Sequence, residues 1–181
     1  YRGAFGVAPE LGHLRLMPGG RACPCGKQGG WERYCSGTAL AETALELFAT
    51  TPGDSTTLGR QAAVDPRSVT GHRVALAAAE GDSIAQRAVA ELARWLGEGL
   101  ALVADVYDPE TIVLAGGVSG SANLFLDAAR KHYAEAMTGA GHRPLARVRV
   151  AMHGDDAGII GAATLAREHV EARAVERCLR T

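Results

Sequence analysis

Gly12–Glu32 reads GHLRLMPGGRACPCGKQGGWE: a histidine, two cysteines flanking a proline, a closing glutamate, and glycine throughout. A disulfide between Cys23 and Cys25 is disfavoured, because that bond needs Cα atoms ~4.4–6.8 Å apart and well-aimed Cβ vectors. Two thiolates and an imidazole from a neighbouring turn are instead a set of tetrahedral zinc ligands. Gly26 and Gly29 let the backbone fold back on itself, since glycine tolerates positive φ. The expectation is a metal-stapled loop that presents polar side chains and enters a helix at Trp31-Glu32.

Upstream of this loop, residues 1–9 read as a short strand or turn leading to Glu10. Leu14–Met17 alternates as a short strand would, and Pro18-Gly19-Gly20 ends it. From Trp31 to Ala49 the apolar residues fall near helical spacing, with Ser36 and Thr38 as caps or a local break. Residues 50–68, rich in Pro, Gly, Ser, Thr and Asp, read as a surface excursion rather than a domain boundary. A helix over 69–79 closes at Gly81, and Asp82 is placed as an N-cap.

Residues 83–107 carry the clearest pattern. Ile84, Ala88, Leu92, Trp95, Leu96, Val103 and Val106 form one apolar stripe, suited to a core or to a dimer interface. Gly97 and Gly99 each cost ~1 kcal/mol against alanine inside a helix, which points to another backbone packed there. Asp108-Pro109 stops the helix. Thr111–Ala115 reads as a strand buried on both faces, and Gly116-Gly117 follows it into a helix over 123–137. Arg147–Met152 reads as a further strand. Asp155 and Asp156 then cap a helix over 157–170 whose first half is small and smooth, with a charged tail after it. Alternating strands and helices make this an α/β lobe.

Composition narrows the class further. The chain has 181 residues, net charge −1 and 47% hydrophobic residues, enough for one core and without the basic block of a nucleic-acid footprint. No apolar run approaches the ~20 residues of a membrane span. Four cysteines are too few for a disulfide scaffold and suit a reducing, cytoplasmic setting. Tyr1 stands where an initiating methionine would, so the chain reads as a fragment or processed product.

Four segments together resemble one family: Glu10-x-Gly12-His13, Cys23-x-Cys25-Gly26-x-x-Gly29, IVLAGG at 112–117 and GDDAGIIGAA at 154–163. They look like the ROK family of bacterial sugar kinases and repressors, nearest its ATP-dependent glucokinases. The resemblance implies an actin/hexokinase-like (ribonuclease H-like) fold of two hinged lobes. Residues 1–181 would be the C-terminal lobe: 1–35 the sugar site and Cys/His loop, 36–181 the α/β part with the nucleotide-side loop, and the N-terminal lobe absent. It implies phosphorylation of glucose to glucose 6-phosphate with ATP and Mg, zinc in the loop, and a homo-oligomer. The family's catalytic carboxylate, in an Asn-Asp segment, and its Asp-x-Gly-Gly-Thr phosphate loop do not occur in this chain. A sugar-responsive repressor is the alternative within the family, and a nonfunctional or regulatory remnant the third reading.

By the same resemblance Glu10, His13 and Glu32 contact sugar hydroxyls, Gly116, Gly117 and Val118 face the nucleotide, and His13, Cys23 and Cys25 hold the zinc. Taken alone, the glutamates read equally as solvated charges, the cysteines as free thiols, and the Gly-Gly step as an ordinary turn. One departure stands out. The family pattern C-x-C-G-x-x-G-C-x-E has Gly30 in place of its last cysteine. The fourth position is then Cys35, about one turn past Glu32, or water, or else zinc binds weakly or not at all. Cys178 and His72, His132, His142, His153 and His169 read as incidental or packing residues. Which hexose is bound stays open between glucose, mannose and N-acetylmannosamine.

Overall fold

A computed structural model of the chain describes residues 3–7, 9–51 and 56–179. Among these residues six α-helices and two strands follow one another, with short 3-10 turns between some of them: α1 Gly37–Thr50, α2 Thr57–Val64, α3 Gly71–Ala79, α4 Ser83–Tyr107, β1 Thr111–Leu114, α5 Leu126–Ala136, β2 Arg147–Val150 and α6 Ala157–Leu179. β1 and β2 pair in parallel, Thr111 against Arg147 through Leu114 against Val150. A parallel pair needs a crossover, and the segment holding α5 supplies it.

α4 is the spine. Most of its predicted stripe is internal: Ile84, Ala88, Leu92, Leu96 and Val103 are buried, with α1, α3 and α5 packed around the helix, while Trp95 is half-buried and Val106 is exposed; Leu100 and Ala104 are buried alongside. The stripe therefore serves the core along most of its length. Asp82 accepts from the backbone N–H groups of Ile84 and Ala85 at 3.1 and 3.0 Å, the predicted N-cap. The helix ends at Asp108, which takes the left-handed conformation (φ 44°, ψ 52°) just before Pro109.

Close approach explains both interior glycines. A Cβ on Gly97 would stand 2.8 Å from the Tyr133 nitrogen and 2.9 Å from the Ala129 carbonyl oxygen, so the α5 backbone is the neighbour that was expected. At Gly99 the neighbour is a side chain, the Trp31 ring. Buried Tyr133 ties α5 to the strand layer, its hydroxyl accepting from the Ala146 N–H at 3.0 Å.

Several local expectations are corrected. Leu14–Met17 is not a strand; only Arg15 bridges, antiparallel to Gly30. The helix does not start at Trp31: Trp31–Arg33 is a single 3-10 turn, and α1 begins after Ser36, whose hydroxyl accepts from the Ala39 N–H at 3.1 Å. The excursion over 50–68 contains α2, anchored by buried Leu58 and Ala62. A 3-10 stretch, Gly117–Leu124, precedes α5 where a helix from 123 was expected. β1 is not buried on both faces, because Val113 is 59% exposed. Nothing among the described residues packs on Gly158 or Gly161 of α6, against the close packing expected there. The Asp155 and Cys178 side chains lie outside the described residues, as does part of the 1–9 segment.

Candidate functional site

The loop from Gly12 to Glu32 is held by short-range pairing rather than by a ladder. Leu16 and Met17 donate to the Gly29 carbonyl, Gly29 donates to Arg21, Cys23 donates to Lys27, and Trp31 donates to Leu14. Gly26 (φ 85°) closes the turn that begins at Cys23. Gly29 (φ 76°) lies against the Met17 carbonyl, where any Cβ would overlap it, so this position requires glycine.

Two anchors seat the loop on the helices. The Trp31 indole N–H donates to the Trp95 carbonyl of α4 at 2.9 Å, and Tyr34 stacks on Trp95 with ring centroids 4.8 Å apart. Arg21 bonds the Arg33 carbonyl, Thr43 and Glu46, while Arg33 pairs with Glu42, so both arginines reach α1. Glu32 thereby projects from a fixed turn.

This framing brings the predicted residues together. His13 Nδ1 lies 3.4 Å from Cys23 Sγ and 3.4 Å from Glu32 Oε1, and Cys23 Sγ lies 3.3 Å from the same Glu32 oxygen. Cys25 Sγ touches Cys23 Sγ at 2.9 Å. The other edge of the ring, His13 Nε2, faces Glu10 Oε2 at 3.9 Å. The ligand atoms of His13, Cys23 and Cys25 all lie within 4.8 Å of one another, close enough to share one cation. His13 is thus two-sided, with Nδ1 toward the sulfurs and Nε2 toward Glu10. Glu10 and Glu32 remain open to solvent, their side chains 64% and 40% exposed.

The thiols differ sharply. The Cys23 contact, and after it the Lys27 N–H, hold Cys25 below the ordinary thiol value; Cys23 is raised, chiefly by that same contact. Cys25 is the exposed, thiolate-prone member of the pair. Cys35 faces the other way. It packs against the core, and burial pushes its thiol up to about 12. Cys35 does not join the ligand atoms of His13, Cys23 and Cys25 but packs against the core, so the structure does not place it as the fourth zinc ligand that was expected.

Gly116, Gly117 and Val118 lie elsewhere, after β1. Gly116 has φ 93°, which turns the chain sharply out of the strand. Gly117 and Val118 line a cavity of about 490 Å³ with Gly37, Thr38, Gly71 and His72. Gly116 lines an adjoining one of about 310 Å³ that also reaches Cys35. The N-terminal residues of α1 and α3 were not singled out from the sequence. Their available signal was the capping pattern, Ser36 and Thr70 just ahead of Gly37 and Gly71, which puts two helix N-termini at the cavity.

Residues 1–169 match the description of the ROK family. The chain belongs to that family. It is 42% identical over 167 residues to a glucokinase of Streptomyces coelicolor, covering 92% of this chain and 53% of that protein. Among solved structures it resembles a ROK family glucokinase from Streptomyces griseus in complex with glucose and AMPPNP. The TM-score is 0.84 at 42% identity, over 93% of this chain and 54% of that one. The ROK hexokinase of Thermus thermophilus gives a TM-score of 0.68 at 33% identity, over 94% and 51%. The α/β fold is that of the ROK sugar kinases, and this chain spans about half the length of the relatives it matches.

Proposed function

We propose that this chain is the sugar-binding, nucleotide-side lobe of an ATP-dependent glucokinase. The observation that carries the reading is the grouping of Glu10 and Glu32, both open to solvent, around the two ring nitrogens of His13, which also touches the Cys23 sulfur. A hexose needs several hydrogen-bond partners at set angles, and carboxylates are strong acceptors for hydroxyls. Glu10 and Glu32 would accept from sugar hydroxyls, and the outward edge of His13 would meet a third. The named kinases among its relatives favour this over a repressor.

Gly116–Val118 and the cavity they line suit the nucleotide, with backbone rather than side chains against adenosine or phosphate. No Asn-Asp segment occurs in the 181 residues, so the general base that takes the sugar hydroxyl proton is not assigned to this chain. Its residues bind and orient; closure against the rest of the enzyme would exclude water and limit hydrolysis of ATP. Mg would accompany ATP as part of the substrate. His13, Cys23 and Cys25 fit a soft divalent cation in donor type and spacing, and zinc bound there would lock the ring of His13.

The test is ATP-dependent phosphorylation of a hexose panel by the complete gene product. Selective turnover of glucose is expected, and Glu32→Gln should raise KM for glucose ~10-fold or more, the scale of one lost charge-assisted hydrogen bond. Saturable sugar binding without turnover would move the reading to a sugar-sensing repressor.

A further inference from the structure

We infer that Glu32 is the fourth donor of the cation site, taking the vertex that Gly30 leaves open, so that one carboxylate joins the metal to the sugar. Gly30 has an extended backbone (φ −62°, ψ 147°) that any residue adopts. A Cβ built on it stands 3.8 Å from Cys23 Sγ, 3.7 Å from the His13 Cα and 3.4 Å from the Gly12 carbonyl. No backbone demand or clash therefore calls for glycine here. A side chain at this position would simply enter the cluster, and glycine leaves that room vacant beside Cys23.

Glu32 Oε1 occupies the same neighbourhood, at 3.4 Å from His13 Nδ1 and 3.3 Å from Cys23 Sγ. Zinc bonded to N or O at ~2.0–2.2 Å and to S at ~2.3 Å places tetrahedral ligand atoms ~3.3–3.8 Å apart, so both distances are already close to ligand spacing. Cys35, the other residue of suitable chemistry, is turned into the core. A dicysteine–histidine–glutamate set is the three thiolates and histidine of the family pattern with one thiolate exchanged for a carboxylate, so it keeps the same net charge on the site. Its fourth donor is harder and more exposed.

The contacts to Cys23 and His13 are made by Oε1; the second oxygen, Glu32 Oε2, lies 3.7 Å from where a Cβ on Gly12 would stand. It stays available to a ligand outside the cluster. The coupling to sugar rests on the reading of Glu32 as a hexose contact; the coordination does not. With Oε1 on the cation, Oε2 is fixed for a hydroxyl. Cation and hexose then strengthen each other's binding by one shared factor, as linkage requires.

The test is cobalt(II) and zinc titration of the complete protein, read by the sulfur-to-cobalt charge-transfer band and by competition with a chromophoric chelator, with no sugar present. Wild type should show a tetrahedral cobalt spectrum with two thiolates. Glu32→Gln should lower zinc affinity ~10-fold or more. Gly30→Cys should raise it, increase the charge-transfer band ~1.5-fold as thiolates go from two to three, and make the Glu32→Gln change silent in the double variant. Unchanged zinc affinity in Glu32→Gln would overturn the assignment, as would a wild type that binds neither metal while Gly30→Cys binds both. Repeating the zinc titration with glucose reads the coupling separately. Tighter zinc with glucose in wild type but not in Glu32→Gln is expected, and no change in wild type would overturn the bridge while leaving the coordination result standing.

Discussion

α4 and α6 are nearly equal in length, 25 and 23 residues, and both carry large apolar side chains, yet they meet opposite fates. α4 is enclosed by α1, α3 and α5 and buries residues from Ile84 to Ala104. α6 buries none of its described side chains, and Ile159, Leu165 and Val170 are 73%, 68% and 67% exposed. Helical propensity is adequate in each, so propensity is not what separates them. The difference is the presence of a facing surface: most helical stability in proteins comes from packing an apolar face, and an unpacked helix is marginal. The loop that carries Glu10, His13 and Glu32 is mounted on the packed side, through Trp31 against Gly99 and Trp95.

The hardest way to break the enclosed region is to add bulk where two backbones touch. Gly97→Val would drive a side chain into the α5 backbone at Ala129 and Tyr133. Overpacking costs ~1–3 kcal/mol and a rigid backbone contact belongs at the upper end, so urea denaturation should show an unfolding free energy lower by about 3 kcal/mol. A loss below ~1 kcal/mol would mean that α5 can shift away freely and that the α4–α5 contact is loose. Gly99→Ala acts on the site as well as on the core, since it displaces Trp31 and with it the turn that projects Glu32.

Tyr133→Phe removes the acceptor of the Ala146 N–H without opening a cavity. An unpaired backbone donor in a partly buried setting costs ~1–3 kcal/mol. The same denaturation assay reads it, with the expected value below that of Gly97→Val. If the variant is as stable as wild type, water replaces the hydroxyl and α5 is not tied to β2 through this bond.

Cys35 provides a pH-dependent probe of the enclosed side. Its thiol ionises near 9.0 in the absence of burial and at about 12 when folded. The neutral thiol is the form that folding favours, so this contribution is complete below pH ~9 and is lost as pH rises from there toward ~12. At pH 10 the loss is ~1.4 kcal/mol, one unit above the unfolded value. Cys35→Ala should flatten the fall in Tm between pH 8 and 10.5. A fall of the same slope in the variant would place the alkaline lability elsewhere. Iodoacetamide at pH 7.5 should label Cys25 first, then Cys23, and reach Cys35 only on unfolding.

These contrasts also explain what was readable from the residues. α4 was legible end to end because its stripe, its Asp82 cap and its Asp108-Pro109 stop all agree. The β-branched runs of β1 and β2 were legible for the same reason, but their burial was not, since a buried-looking strand is buried only if something lies over it. The alternation at Leu14–Met17 misled because its partner, Gly29-Gly30, offers a single bridge rather than a strand. α2 was hidden by a polar surround with only Leu58 and Ala62 to anchor it. In the site, the convergence of Glu10, His13, Cys23, Cys25 and Glu32 followed from the order of the motif. The side to which Cys35 turns did not, because residues one helical turn apart in sequence can face the cluster or the core depending on where the 3-10 turn gives way to α1.

The smallest effect belongs to α6 and tests the comparison from its open end. Ile159→Ser and Leu165→Ser remove apolar side chains that touch solvent already, so stability of this chain should change by no more than ~0.5 kcal/mol. Backbone amides of α6 should exchange with solvent orders of magnitude faster than those of α4, whose opening requires loss of the core. An exposed apolar face is also adhesive, and both serine variants should lower any self-association seen by sedimentation. A destabilisation above ~1 kcal/mol from either variant would show that α6 is covered in solution, and the contrast with α4 would then be one of partner rather than of enclosure.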